Sequence, residues 1–284
     1  MVGELQAQMD VKGSAIVMVA PNGARRGKHD HPALPIRAGE LADCAAACAE
    51  AGACAIHLHV RDADGRHVLD ADAYRDASAR IRRTVGDDLV IQITTEAVGL
   101  FTVDEQMQVV RDVRPEAVSL AVRELVPDAA SEVEAARFFA WMAGAAIAPQ
   151  FILYDAQDVQ RLRDLQARGV VPMAKPFMLF VLGRYAKEQR STPGDLGPFL
   201  TAAKGVDWPW MLCAFGARER DCMSAAGQAG GHARVGFENN LHLPDGTLAP
   251  DNAALVRVTA DAMLGAGRDL ADADAFRRMM AEWA

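Results

Sequence analysis

CAIHLHV, residues 54–60, is a short apolar run that closes on two imidazoles, His57 and His59. The segments on either side, AGELADCAAACAEAG (38–52) and DADAYRDASARIRRTV (70–85), have helical periodicity. An apolar run between two helical segments reads as a strand of a parallel sheet covered on both faces. Seven further runs repeat the pattern. They are SAIVMVA (14–20), LVIQITT (89–95), AVSLAV (117–122), AIAPQFILY (146–154), PFMLFVL (176–182), WMLCAF (210–215) and ARVGFEN (233–239). Other helical segments include SEVEAARFFAWMAG (131–144) and DNAALVRVTADAMLGAG (251–267). Eight strand–helix units in 284 residues predict an α/β fold, a (β/α)8 TIM barrel, with a doubly wound open sheet as the alternative. No Gly/Ser-rich linker divides the chain. It is therefore expected to be one domain over 1–284, ending in an extra helix at DADAFRRMMAEWA (272–284).

Composition narrows the function classes. The formal net charge is -8 and no basic run occurs, which argues against nucleic acid as a partner. Five cysteines form no C-x-x-C pair, and Cys44 and Cys48 share a helix face. They read as reduced core thiols of a cytoplasmic protein, not as disulfides or zinc ligands. The start, MVGELQAQMDVKG, is neither apolar nor basic enough for a signal peptide. No apolar run reaches the roughly 18 residues of a membrane span, so no membrane partner is expected.

Active sites of these barrels form at the carboxyl-terminal ends of the strands. Alternate residues of a strand share a face, so His57 and His59 project together at that end. Such a pair is either hydrogen-bonded within the barrel or ligates a divalent metal. A catalytic zinc takes about three protein ligands, and the eighth run ends in Glu238. In a closed barrel the second and eighth strands both flank the first, which brings Glu238 to the two histidines and favours the metal. His232 starts the eighth strand, at the opposite end, and is excluded. His29 and His31 also form H-x-H, but in a Pro-rich loop where solvated imidazoles are expected.

Several segments together resemble the beta-keto acid cleavage enzymes. They are APNGARRGKHDHPALP (20–35), EAGACAIHLHVRDADGRHVLD (50–70), VIQITTEAVG (90–99), PEAVSL (115–120), FVLG (180–183), GGHARVGFENN (230–240) and DGTLAPDNAALV (245–256). They run in family order over nearly the whole chain. The resemblance implies a (β/α)8 barrel with one zinc per subunit on His57, His59 and Glu238, usually in a homotetramer. It implies condensation of a 3-oxo acid with acetyl-CoA to give acetoacetate and a new acyl-CoA. Thr94 and Ser119 match positions that hold substrate and shuttle protons, and Arg234 matches an arginine beside the metal.

The chain also departs from the family. After the eighth run the family usually reads Glu-Asp-Asn, and here it is Glu238-Asn239-Asn240. Asn239 occupies a catalytic position, but an amide cannot accept a proton at neutral pH. Glu124 is the first replacement base and Glu96 the second. Where the family has acidic residues facing an ammonium substrate, this chain has Gln150, Ile152 and Arg25. The substrate's far end is therefore expected to be anionic or neutral, bound by Arg25 and Gln150 with help from Arg26 or Arg123. CoA is expected across two loops: Arg184, Lys187 and Arg190 after the sixth run, and Gly216 and Arg218 after the seventh. The alternative readings are another zinc-dependent barrel lyase or hydrolase, or a ligand sensor that retains the metal site.

Overall fold

The computed structural model describes residues 13–283 and shows a closed barrel of eight parallel strands. The barrel strands are β1 (Val17–Val19), β2 (Ala55–Leu58), β5 (Val90–Thr94), β6 (Ala117–Ala121), β7 (Ala148–Leu153), β8 (Phe177–Leu182), β9 (Trp210–Ala214) and β10 (His232–Val235). β1 pairs with both β2 and β10, which closes the ring and excludes the open sheet. A two-stranded ribbon, β3 (Val60–Arg61) and β4 (His67–Val68), follows β2. The amino-terminal stretch 1–12, read above as no signal peptide, lies outside the described residues. Among the described residues no helix is long and apolar enough to cross a membrane.

Between the strands run α1 (Ala38–Glu50), α2 (Ala71–Val85), α3 (Val103–Val113), α4 (Val122–Leu125), α5 (Glu132–Gly144), α6 (Ala156–Ala167), α7 (Gly197–Ala202) and α8 (Glu219–Gln228). α9 (Asn252–Gly265) and α10 (Ala273–Trp283) follow β10. Side-chain caps define several starts: Asp70 accepts from the Ala73 amide, and Thr102 forms a capping box with Glu105.

Strand alternation divides the apolar residues into two layers. Val17, Val19, Ile56, Leu58, Ala233 and Val235 face outward and pack in the layer beneath the helices. Ile16, Met18, Ala55, Val90 and Met211 face the barrel axis. Phe276 of α10 joins the axial cluster and packs edge-on to Phe177, so the terminal helix covers the amino-terminal end of the barrel. The opposite end carries the polar residues. Four of the five free cysteines are buried, and Cys44 is partly buried.

One expected boundary is corrected. The last strand stops at Val235, three residues before Glu238. Gly236 breaks it with φ +133°, a conformation that L side chains rarely adopt. A Cβ there would sit 2.6 Å from the Ala20 carbonyl oxygen and 2.8 Å from Asn252 Oδ1. The turn behind it is fastened to the end of β1: the Glu238 amide donates to Ala20 O and the Phe237 amide to Asn252 Oδ1. Asn252, at the start of α9, also donates to Pro21 O.

Candidate metal centre

Ala55 faces the axis and Ile56 the outer layer, so alternation turns His57 inward. His59 stands one residue beyond the end of β2 and converges with it: the two Nε2 atoms are 3.1 Å apart. Glu238 Oε2 lies 3.6 Å from His57 Nε2 and 3.8 Å from His59 Nε2. A tetrahedral zinc with bonds of about 2.0–2.1 Å sets its ligand atoms about 3.3 Å apart, and the three atoms fit that spacing. Glu238 Oε2 is buried with no hydrogen-bond partner among the described residues, which is costly unless a cation meets it. Among the described residues, His57, His59 and Glu238 form the one such cluster of potential ligands.

The protonation states suit a divalent cation. Burial, helped by Arg234, pulls His57 down to about 4, and burial also holds His59 well below the ordinary histidine range. Burial works to raise Glu238, but the guanidinium of Arg234, with smaller contributions from Arg184 and Arg26, outweighs it and keeps the carboxyl below its usual range. Two neutral imidazoles and an ionised carboxylate are therefore presented together.

Surrounding groups fix these ligands. Gln92 Oε1 accepts from His57 Nδ1 at 2.8 Å, which leaves the Nε2 lone pair facing the cluster. Asn22 donates to the His59 carbonyl. Arg234 points inward, as alternation predicts, and donates to Glu238 Oε1 at 3.1 Å. Gly23 leaves room for the carboxylate, since a Cβ there would lie 2.6 Å from Glu238 Cγ. Gln92→Leu is expected to weaken metal affinity about 10–100-fold. Competition of the variant with a calibrated chelator measures this.

The structure sorts the remaining sequence candidates. Thr94 lines a small cavity of about 20 Å³ with His57, Glu96, Arg184, Arg234 and Glu238. Ser119 stands behind it and donates to Thr94 Oγ1 at 3.2 Å. Glu96, ranked second as a base, lies 3.8 Å from His59 Nε2. Glu124, ranked first, does not line the cavity; its Oε2 accepts from the Ala97 amide. Asn239 is fully buried and turns away, donating to Cys213 Sγ at 2.8 Å. Gln150 is corrected from a substrate contact. It lies below the histidines, where its Oε1 accepts from Gln92. Arg25 is exposed at the rim of a second small cavity shared with Glu96 and Arg184. Arg123 is engaged by Asp155 and Asp158.

Two CoA candidates change place. The Gly216 amide is not free for a phosphate, because it donates to Asn239 O. Arg184 belongs to the cavity mouth, with only 14% of its side chain exposed. Arg218 remains outside, paired with Asp221, and Arg190 pairs with Glu188. His31 is not solvated: it is 2% exposed, bonds the Ala249 carbonyl and packs on Phe237 beside Glu238. Gln92, Asn22 and Asn252 were missed by sequence reasoning. Asn252 lies within DGTLAPDNAALV, and that segment was its only signal.

Glu219 is a buried carboxyl beside this turn, held by the Asn240 amide. Burial pushes it up to about 8, with the Asn240 bond opposing. The folded chain therefore keeps a proton that the unfolded chain releases near its ordinary value. Its contribution to stability is present below about 4.5 and is lost as pH rises through about 8. Glu219→Gln is expected to remove a fall in stability of up to about 1.4 kcal/mol per pH unit across that window. Urea unfolding at pH 5 and pH 8 checks it.

The sequence model described as beta-keto acid cleavage enzyme matches residues 14–281. A 3-keto-5-aminohexanoate cleavage enzyme of Fusobacterium nucleatum is 27% identical over 272 residues, covering 93% of this chain and 97% of the relative. A 3-oxoadipate:acetyl-CoA acetyltransferase of Cupriavidus necator is 28% identical over 270 residues, 90% of each chain. Among solved structures, apo ObcA aligns with TM-score 0.70 at 15% identity. That alignment covers 88% of this chain and 66% of ObcA, and it speaks for the fold alone.

Proposed function

Since the chain belongs to the beta-keto acid cleavage enzyme family, we propose that it converts a 3-oxo acid and acetyl-CoA into acetoacetate and a new acyl-CoA, with one zinc ion per subunit. The observation that carries the reading is the convergence of His57, His59 and Glu238 at the carboxyl-terminal mouth of the barrel, with Glu96 facing the same space. A divalent cation held by those three residues supplies Lewis-acid polarisation of the substrate's keto oxygen.

The chain's own residues supply the rest. Glu96 Oε2 faces the cavity and accepts the C2 proton, the role that Asn239 cannot fill and Glu124 does not reach. Thr94 Oγ1 already accepts from Ser119 and from the Glu96 amide, so its own hydrogen is free for a substrate oxygen. Arg234, buried between Glu238 and Cys213, holds the ligand carboxylate in its ionised form. The C2 carbanion attacks the thioester carbonyl and expels CoA thiolate. The thiolate attacks the original keto carbon, and the C2–C3 bond breaks with its electron pair on C2. That carbanion takes back the proton held on Glu96, so acetoacetate leaves with C1 and C2 of the substrate, and the remaining acyl group stays on CoA.

The test is a panel of 3-oxo acids with acetyl-CoA, read by the mass of the CoA product. Acetyl-CoA consumption with stoichiometric acetoacetate and a new acyl-CoA is expected. Turnover of an oxo acid without acetyl-CoA would assign the site to a zinc-dependent lyase or hydrolase instead. Glu96→Gln is expected to lower kcat about 10²–10⁴-fold while metal content stays at one per chain.

A further inference from the structure

We propose that Arg184 binds a second, distal carboxylate on the 3-oxo acid, so that the preferred substrate is a short 3-oxo dicarboxylic acid. This rests on the reaction proposed above and assigns the far end of its substrate. Arg184 follows β8 by two residues and leans back over the cavity, with its guanidinium carbon 5.4 Å from the centre of the Phe215 ring. Its carboxylate partner is Glu96, at 3.4 Å. A settled charge-assisted bond is about 2.7–2.9 Å, so this contact is loose.

The other cations around the mouth are engaged. Arg26 donates to Phe237 O, and Arg61 donates to the carbonyls of Gly23, Gly65 and Arg26. Arg123 is held by two aspartates, and Arg234 by Glu238. Arg25 is exposed, where solvent and salt screen it. Among the described residues, Arg184 is therefore the guanidinium at the cavity that a ligand carboxylate can take in bidentate fashion. Ile152 and Val181 line the same cavity. The wall thus offers ligands for a keto group, an apolar stretch for methylenes, and a guanidinium for a terminal carboxylate.

Two measurements test the assignment. In thermal unfolding of the zinc-loaded protein, the unreactive diacid adipate is expected to raise Tm more than hexanoate, and Arg184→Met to abolish the difference. In turnover with acetyl-CoA, 3-oxoadipate is expected to exceed 3-oxohexanoate about 100-fold in kcat/KM. Arg184→Met is expected to bring that ratio near one, because the diacid loses more than the change both substrates share through the Glu96 contact, and Arg25→Ala to leave the ratio unchanged. Equal loss on both substrates, a ratio that collapses in Arg25→Ala instead, or adipate without effect on Tm would each overturn the proposal. Stabilisation by adipate through Arg184 without any acyl-CoA product would sustain the subsite and refute the reaction.

Discussion

Replacing Glu238 by glutamine is expected to remove the metal and to lower turnover by about 10³-fold or more. The carboxylate supplies the only negative charge among the three ligands, and its Oε2 has no hydrogen-bond partner among the described residues. A neutral amide cannot balance a dication in a buried site. Losing a Lewis acid forfeits several kcal/mol of transition-state stabilisation, and each 1.36 kcal/mol is tenfold in rate. The variant also leaves Arg234, 3% exposed, without its carboxylate, so a lower Tm is expected even without metal. Elemental analysis of wild type and variant, with initial rates under saturating acetyl-CoA, reads both effects. A variant that kept one metal per chain would show that Glu238 is not a ligand.

The second large effect is on stability. Gly236→Ala is expected to destabilise the fold by about 3–5 kcal/mol, from an unfavourable backbone region together with overpacking. The added Cβ would press on Ala20 O and Asn252 Oδ1, both fixed by hydrogen bonds, so neither yields cheaply. The turn it would displace carries Glu238, so metal affinity should fall along with Tm. Gly246 is the control. It too has positive φ, but no atom of the described residues stands within 4 Å of a Cβ there, so Gly246→Ala is expected to cost about 1 kcal/mol. Chemical denaturation of both variants separates conformational strain from the close approach.

The barrel was legible because its signal is local and repeated. Runs such as CAIHLHV and PFMLFVL lie between helical segments, and the periodicity of each names its element without knowledge of the others. The ligands were legible for a related reason. His57 and His59 share a face by alternation, and closure alone carries the eighth strand's end to the second's. Even so, Glu238 reaches the site by a turn and not by strand alternation, and only Gly236 marks the change.

The rest of the site depends on register and loop paths, which no local pattern carries. Gln92 supports His57 because the two residues are paired in the register of β2 and β5. Gln150 read as a substrate contact and proves to be a lower link of the same chain of amides. Glu96 and Glu124 are both plausible bases in sequence, and the turn after β5 alone decides which one meets the histidines. Arg184 read as a surface phosphate contact until the loop after β8 placed it beside Glu96. His31 looked solvated in its Pro-rich loop, yet the loop folds under Phe237 and buries it.

The most direct measurement is anomalous diffraction at the zinc edge from crystals of the zinc-loaded protein. One peak per chain is expected, within about 2.0–2.2 Å of His57 Nε2, His59 Nε2 and a Glu238 oxygen, with a fourth position open toward Glu96. A peak at other residues, or none at full zinc occupancy of the solution, would contradict the account.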